Sequence, residues 1–309
     1  MADQMTRDII LHVGLPKTGT TSLQNTLYTD RHRLLEHSYY YDTAINAPHD
    51  PKHQWVLRAL RKQQADPATD LQRLPRSART IILSTESISN ELLQFEPQTI
   101  MEFSGALQEI GELKLLVFLR DPAQWARSYY KQAIINQSSN LLEFYCTSLT
   151  FDEFAGLEQI QFLTDHAALL ARLESRFRAE VISQNYDSNM VERFYDRFLP
   201  LAIPPKTTSR KNSSLDDTCA EVMRQINSFI STHAEKCAWS FLFQVAGVSG
   251  STTFEALAAK ARPSDVKGLD ISALDRLVFC PNPPLQVSED DFQGCLTRLR
   301  QAAKEIKDH

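Results

Sequence analysis

No C-x-x-C pair occurs in this chain, and no apolar run approaches the length needed to span a membrane. The five cysteines, Cys146, Cys219, Cys237, Cys280 and Cys295, are scattered and odd in number. That sets aside a disulfide framework and a zinc site and fits a reducing compartment. Positive charge is not in excess either. Lys and Arg total 33 against 38 Asp and Glu, for a net charge of −5. A general nucleic-acid binder is thereby disfavoured, and any anion site must be locally basic. The first apolar strand begins within ten residues of Met1 and leaves no room for a signal peptide, so a cytoplasmic protein is expected. What is present is ordinary for a globular protein: 42% hydrophobic and 23% charged residues over 309 positions, enough for one large domain or two small ones.

The chain is organised around His12-Val13-Gly14-Leu15-Pro16-Lys17-Thr18-Gly19-Thr20-Thr21-Ser22-Leu23-Gln24. Ile9-Ile10-Leu11 before it reads as a buried strand, and Leu23 and Leu27 after it have helical spacing. Strand, tight loop and helix N-terminus in that order make an anion cradle, because first-turn N–H groups lack intrahelical partners and the helix dipole favours negative charge there. Gly14 and Gly19 permit close backbone approach, Pro16 stiffens the loop, Lys17 supplies a cation, and Thr18, Thr20, Thr21 and Ser22 supply hydroxyls. The Walker A order, G-x-x-x-x-G-K-[ST], puts lysine after the second glycine, whereas Lys17 precedes Gly19. The order Pro-Lys-Thr-Gly-Thr-Thr-Ser-Leu resembles instead the 5′-phosphosulfate loop of sulfotransferases that use 3′-phosphoadenosine 5′-phosphosulfate (PAPS).

Further strands are expected at 79–84, 113–119 and 179–183, with helices at about 19–28, 52–65, 97–110, 123–135 and 159–177. Residues 30–50, with the run Tyr39-Tyr40-Tyr41, read as an irregular segment over the mouth of the site. Strands alternating with helices indicate a parallel sheet with right-handed crossovers, buried on both faces. Past a polar, basic stretch at 204–214, helical patterns dominate, so a core over 1–215 and a helical portion over 216–309 are expected.

A second motif runs from Leu119-Arg120-Asp121-Pro122 to Ala126-Arg127-Ser128-Tyr129-Tyr130. Arg120 ends a strand and Ser128 follows two helical turns on, so a guanidinium fork and a hydroxyl can meet one phosphate. This resembles the 3′-phosphate segment of sulfotransferases. The resemblance covers roughly residues 8–215 and is close to bacterial and carbohydrate-type members. It implies a P-loop-type α/β fold, with a parallel sheet flanked by helices. It implies that Pro16, Lys17, Thr18, Gly19, Thr20, Thr21 and Ser22 hold the 5′-phosphosulfate, that Arg120 and Ser128 hold the 3′-phosphate, and that no metal is needed. Arg210-Lys211-Asn212-Ser213-Ser214 resembles the basic segment that closes over the nucleotide, without the Arg-Lys-Gly-x-x-Gly form of the cytosolic branch; a surface linker explains it as well.

The implied enzyme moves a sulfuryl group from PAPS to a hydroxyl of a carbohydrate or other small molecule. Lys17 is the natural bridge between leaving oxygen and sulfuryl group. Glu86, just past the 79–84 strand where the family carries its catalytic His or Glu, and His53, in Pro51-Lys52-His53, compete for the role of base. A plain surface carboxylate and an exposed helical histidine are the alternatives for those two residues. A P-loop NTPase or small-molecule kinase is a rival reading, disfavoured by the displaced lysine and the absence of an evident Walker B aspartate. A nucleotide-binding protein without catalysis is another. The acceptor and the oligomeric state are not encoded in any motif.

Overall fold

The computed structural model describes residues 7–41, 51–63, 74–75, 77–136 and 144–200, together with Ala220, Arg224, Asn227 and Ser228. Five strands form one parallel sheet: β1 (Asp8–His12), β2 (Tyr39–Tyr40), β3 (Thr80–Ser84), β4 (Glu112–Leu119) and β5 (Glu180–Asn185), in the spatial order β2-β3-β1-β4-β5. The α/β fold expected for a P-loop-type core is therefore present. Strand β1 is central, and Ile9 and Leu11 have no exposure at all, as expected of a strand covered on both faces.

Nine helices lie among the described residues: α1 (Thr20–Glu36), α2 (Gln54–Leu60), α3 (Ser87–Glu91), α4 (Pro97–Gln108), α5 (Pro122–Ile135), α6 (Phe151–Ala155), α7 (Glu158–Thr164), α8 (His166–Phe177) and α9 (Met190–Phe198). One core face is lined by Leu23, Leu27 and Leu34 of α1, Val191, Phe194 and Tyr195 of α9, and Ile10, Ile82, Leu116 and Ile182 of the sheet. Each such side chain contributes roughly 1.5–3 kcal/mol by leaving water.

Several boundaries differ from the sequence expectation. Residues 30–36 continue α1, because Leu34 extends the buried apolar stripe and Arg33 sits in the last turn, where the helix dipole favours a cation. Tyr39–Tyr40 is an edge strand paired with Thr80 and Ile81, so it belongs to the sheet and not to an irregular cover. The single helix expected over 159–177 is two. Asp165 leaves helical geometry and its side chain accepts from the Ala168 N–H at 3.0 Å, capping α8 as α7 ends. Helix α9, with apolar residues at 190, 191, 194, 195 and 198, has no counterpart in the sequence expectation.

The chain divides into two compact units. The first contains the described residues up to Ala126 and those from Leu157 onward to Pro200, hence the whole sheet. The second contains Arg127–Gly156 with the described residues from Ala220 to Ser228. In that unit Asn227 Nδ2 donates to Ile134 O (2.9 Å) and Thr147 O (2.8 Å), Cys146 Sγ donates to Asn227 Oδ1 (3.2 Å), and Arg224 Nη1 donates to Ser148 O (2.9 Å). These bonds explain why 127–156 group with the later chain, where a cut at 215 leaves them with the sheet. The helices expected beyond residue 228 lie outside the described residues.

Candidate active site

The carboxyl ends of β1, β3 and β4 deliver the loop 13–19, the turn Thr85-Glu86, and Arg120 to one edge of the sheet. Ligands of open parallel sheets bind at that edge. Three backbone conformations shape the loop. Gly14 has φ +54°, and a Cβ there would lie 2.7 Å from the Glu86 Cα. Lys17 has φ +64°, an uncommon conformation for a residue with a side chain. Gly19 has φ +73°, and a Cβ there would lie 2.8 Å from Tyr186 Cε2. Among the bonds that hold this shape, Trp125 Nε1 donates to Pro16 O at 2.7 Å, and Thr18 Oγ1 donates to Leu15 O at 2.5 Å.

Helix α1 opens on Gly19, which has no side chain to cap it, and its first turn carries no acidic residue. The N–H groups at the start of that turn, which have no intrahelical acceptor, are thus left for a bound anion. Around them stand three cations. Lys17 is on the loop, Lys52 lies just before α2, and Arg120 follows β4 with its guanidinium 5.7 Å from the centre of the Tyr186 ring. Arg120 Nη1 also reaches Lys17 O at 3.5 Å.

Glu86 is the acid among these cations. Lys52 Nζ donates to its Oε1 at 2.5 Å, and the Thr20 hydroxyl donates to Oε2. Burial pushes this carboxyl up, but the Lys52 charge, the bonds from Lys52 and Thr20, and the influence of His12 outweigh it, leaving it below the ordinary glutamate value. Burial lowers the Lys17 ammonium, the Glu86 charge opposes this and Arg120 adds to it, so the group lies below the usual lysine value. At neutral pH Glu86 is a carboxylate.

Beneath the loop lies a buried polar cluster. His12 Nδ1 and Ser84 Oγ are 2.7 Å apart, and Gln24 Nε2 donates to the same oxygen at 3.1 Å. Burial pushes His12 down to about 4, against the pull of Glu86, so the ring is neutral at pH 7.

Sequence reasoning assigns Lys17, Thr18, Gly19, Thr20, Thr21, Ser22, Glu86 and Arg120 to one site, and the fold brings them to one sheet edge. Two details differ from expectation. The Thr18 and Thr20 hydroxyl protons go to Leu15 O and Glu86, which leaves Thr21 and Ser22, both half-buried, as the other hydroxyls of the first turn. His53 is 1% exposed and is not a surface residue. Its N–H donates to Ser84 O (2.9 Å), its Nδ1 accepts from the Ser84 N–H (3.1 Å), and the Tyr41 ring meets it edge-on at 4.9 Å. Its Nδ1 lone pair is committed to holding the end of β3.

Ser128 is half-buried on α5 and belongs to the second unit. Arg210 and Lys211 lie outside the described residues. Lys52, Tyr186 and Trp125 escaped assignment: Lys52 meets Glu86 across 34 residues of chain, a pairing no local spacing announces.

No helix among the described residues is long and apolar enough to cross a membrane. No curated protein and no solved structure matches the chain. A family model described as a sulfotransferase domain matches residues 9–199, from the second residue of β1 to the residue that follows α9. The chain therefore belongs to the sulfotransferase family, whose members carry out sulfuryl transfer.

Proposed function

We propose that this sulfotransferase takes its sulfuryl group from PAPS and delivers it to a hydroxyl of a carbohydrate or another small molecule. The observation that carries this reading is the loop with positive φ at Gly14, Lys17 and Gly19, opening on an uncapped, acid-free helix start, with Arg120 reaching the Lys17 carbonyl. Such a cradle suits a terminal phosphosulfate. PAPS, when bound, supplies an activated sulfur–oxygen bond to its 5′-phosphate.

The chain's own residues then have separable roles. Backbone N–H groups at the start of α1, with the hydroxyls of Thr20, Thr21 and Ser22, bind the phosphate. Lys17 neutralises charge on the leaving oxygen as the bond to sulfur lengthens. Its lowered pKa reflects a site poor in water, where such stabilisation is strongest. Arg120 holds the 3′-phosphate, with Ser128 as the hydroxyl that the family resemblance assigns to the same group. Glu86 takes the acceptor's hydroxyl proton on Oε2 as the acceptor oxygen bonds to sulfur, and the electron pair of the broken bond leaves on the phosphate of 3′,5′-ADP. His53 stands as a support for the end of β3 and a weaker candidate for the base.

The test is a panel of hydroxylated sugars and small metabolites incubated with the full chain and PAPS, read as 3′,5′-ADP formation. Acceptor-dependent release is the expected result. Magnesium-dependent ATP turnover without PAPS turnover would replace this reading with a kinase or NTPase.

A further inference from the structure

Each oxygen of the carboxylate assigned as base already accepts one hydrogen bond. Oε1 accepts from Lys52 Nζ, and Oε2 accepts from the Thr20 hydroxyl. Lys17 and His12 are the other titratable groups that act on it. Thr20 is also the first residue of α1, in the turn whose N–H groups face the loop's anion site. A hydroxyl owns one proton and can give it to one acceptor at a time. Glu86 Oε2 and an anion on the loop therefore compete for the same hydrogen bond.

We propose that Thr20 couples donor binding to activation of Glu86, a coupling that rests on the donor reading above. With the loop free of donor, the Thr20 hydroxyl donates to Oε2 and stabilises the carboxylate, which makes it a weaker base. A phosphosulfate on the loop draws that proton to its own oxygens and releases Oε2, while Lys52 keeps Oε1 in place. The acceptor's hydroxyl proton then passes to Oε2 as its oxygen bonds to sulfur. No other proton moves and no redox change is involved. Lys52 and Thr20 are positioning residues in this scheme: one sets where the base stands, the other when it is available.

The test is the Glu86 carboxyl titration, followed by carbon NMR in full-length protein labelled at glutamate and assigned with Glu86→Gln. It is run with and without saturating 3′,5′-ADP, in wild type, Thr20→Val and Thr20→Ser. Binding a phosphate raises a nearby carboxyl by charge alone, in every variant. The hydroxyl's part is the difference between valine and the other two. Expected is a Glu86 titration that lies higher in Thr20→Val than in wild type without nucleotide, and that rises less than wild type when nucleotide is added. Thr20→Ser restores the wild-type behaviour. Superimposable titrations of wild type and Thr20→Val without nucleotide, or equal rises on adding it, overturn the coupling while leaving the donor site intact. Failure of 3′,5′-ADP to bind wild type at all overturns the donor reading, and the coupling falls with it.

Discussion

The two ends of the sheet carry similar residues and use them differently. At the amino ends of the strands, Lys114 pairs with Asp8 at 2.9 Å and Glu112 at 3.4 Å on a rim open to water. The Asp8 bond, foremost, raises the Lys114 pKa against the opposing pull of burial. At the carboxyl ends the pattern inverts. Lys17 is lowered by burial, Glu86 is pulled in opposite directions by burial and by Lys52, and His12 is pressed down to about 4. A solvated ion pair satisfies its members and contributes little to stability. Charges kept short of water beside an open anion cradle are poised for a ligand. The contrast separates scaffold from chemistry within a single sheet.

Substitutions at the two ends should separate in the same way. The largest effect is expected from Glu86→Gln, which keeps the shape and removes the proposed base: turnover of the proposed donor PAPS should fall by about two to four orders of magnitude with 3′,5′-ADP affinity nearly unchanged. Lys17→Ala acts on turnover too. His53→Ala has the smaller effect, and loss of turnover there with Glu86→Gln still active reverses the two assignments.

Next in size is acid sensitivity from His12. Its folded pKa of about 4 lies below the ordinary histidine value of 6.5. The stability contributed by keeping it neutral is complete above pH 6.5 and is lost as pH falls toward 4. Full loss amounts to about 3 kcal/mol at 1.36 kcal/mol per pH unit. Urea unfolding at pH 7.5 and 4.5 should show the wild type losing more stability than His12→Gln over that interval; equal losses contradict the buried neutral ring.

Arg120→Ala should then erase roughly 10- to 100-fold of the preference for 3′,5′-ADP over 5′-AMP in titration calorimetry, the range of a lost charge-assisted hydrogen bond. The smallest effect is expected at the other end, where Lys114→Met should change stability by less than about 1 kcal/mol and leave turnover alone. A large loss of activity there would break the division between the two ends.

The part of this arrangement legible in sequence is the part set by neighbours along the chain. Ile9-Ile10-Leu11, the glycine spacing and Leu23/Leu27 specify strand, loop and helix within about twenty residues. Arg120 and Glu86 are legible because each closely follows a strongly apolar strand, and parallel strands send their carboxyl ends to one edge. What escapes is set by contacts distant in sequence. Tyr39-Tyr40 is a strand because β3 offers it an edge, and α9 forms where its apolar stripe finds α1. His53 looks exposed by its polar neighbours Lys52 and Gln54, yet Ser84 draws it inside. The Lys52–Glu86 pair and the Thr20 bond exist only once β1 and β3 lie side by side.

On the proposed reading, the loop and Arg120 together recognise a nucleotide carrying phosphates at both the 5′ and the 3′ positions. Thermal unfolding of the full chain with 3′,5′-ADP, 5′-AMP and ATP at equal concentration is the decisive measurement. Binding to the folded state alone stabilises by mass action, about 2.7 kcal/mol at a hundredfold excess over Kd. A clearly larger upward shift in Tm for 3′,5′-ADP than for either of the others is the expected result, and equal shifts for ATP and 3′,5′-ADP contradict it.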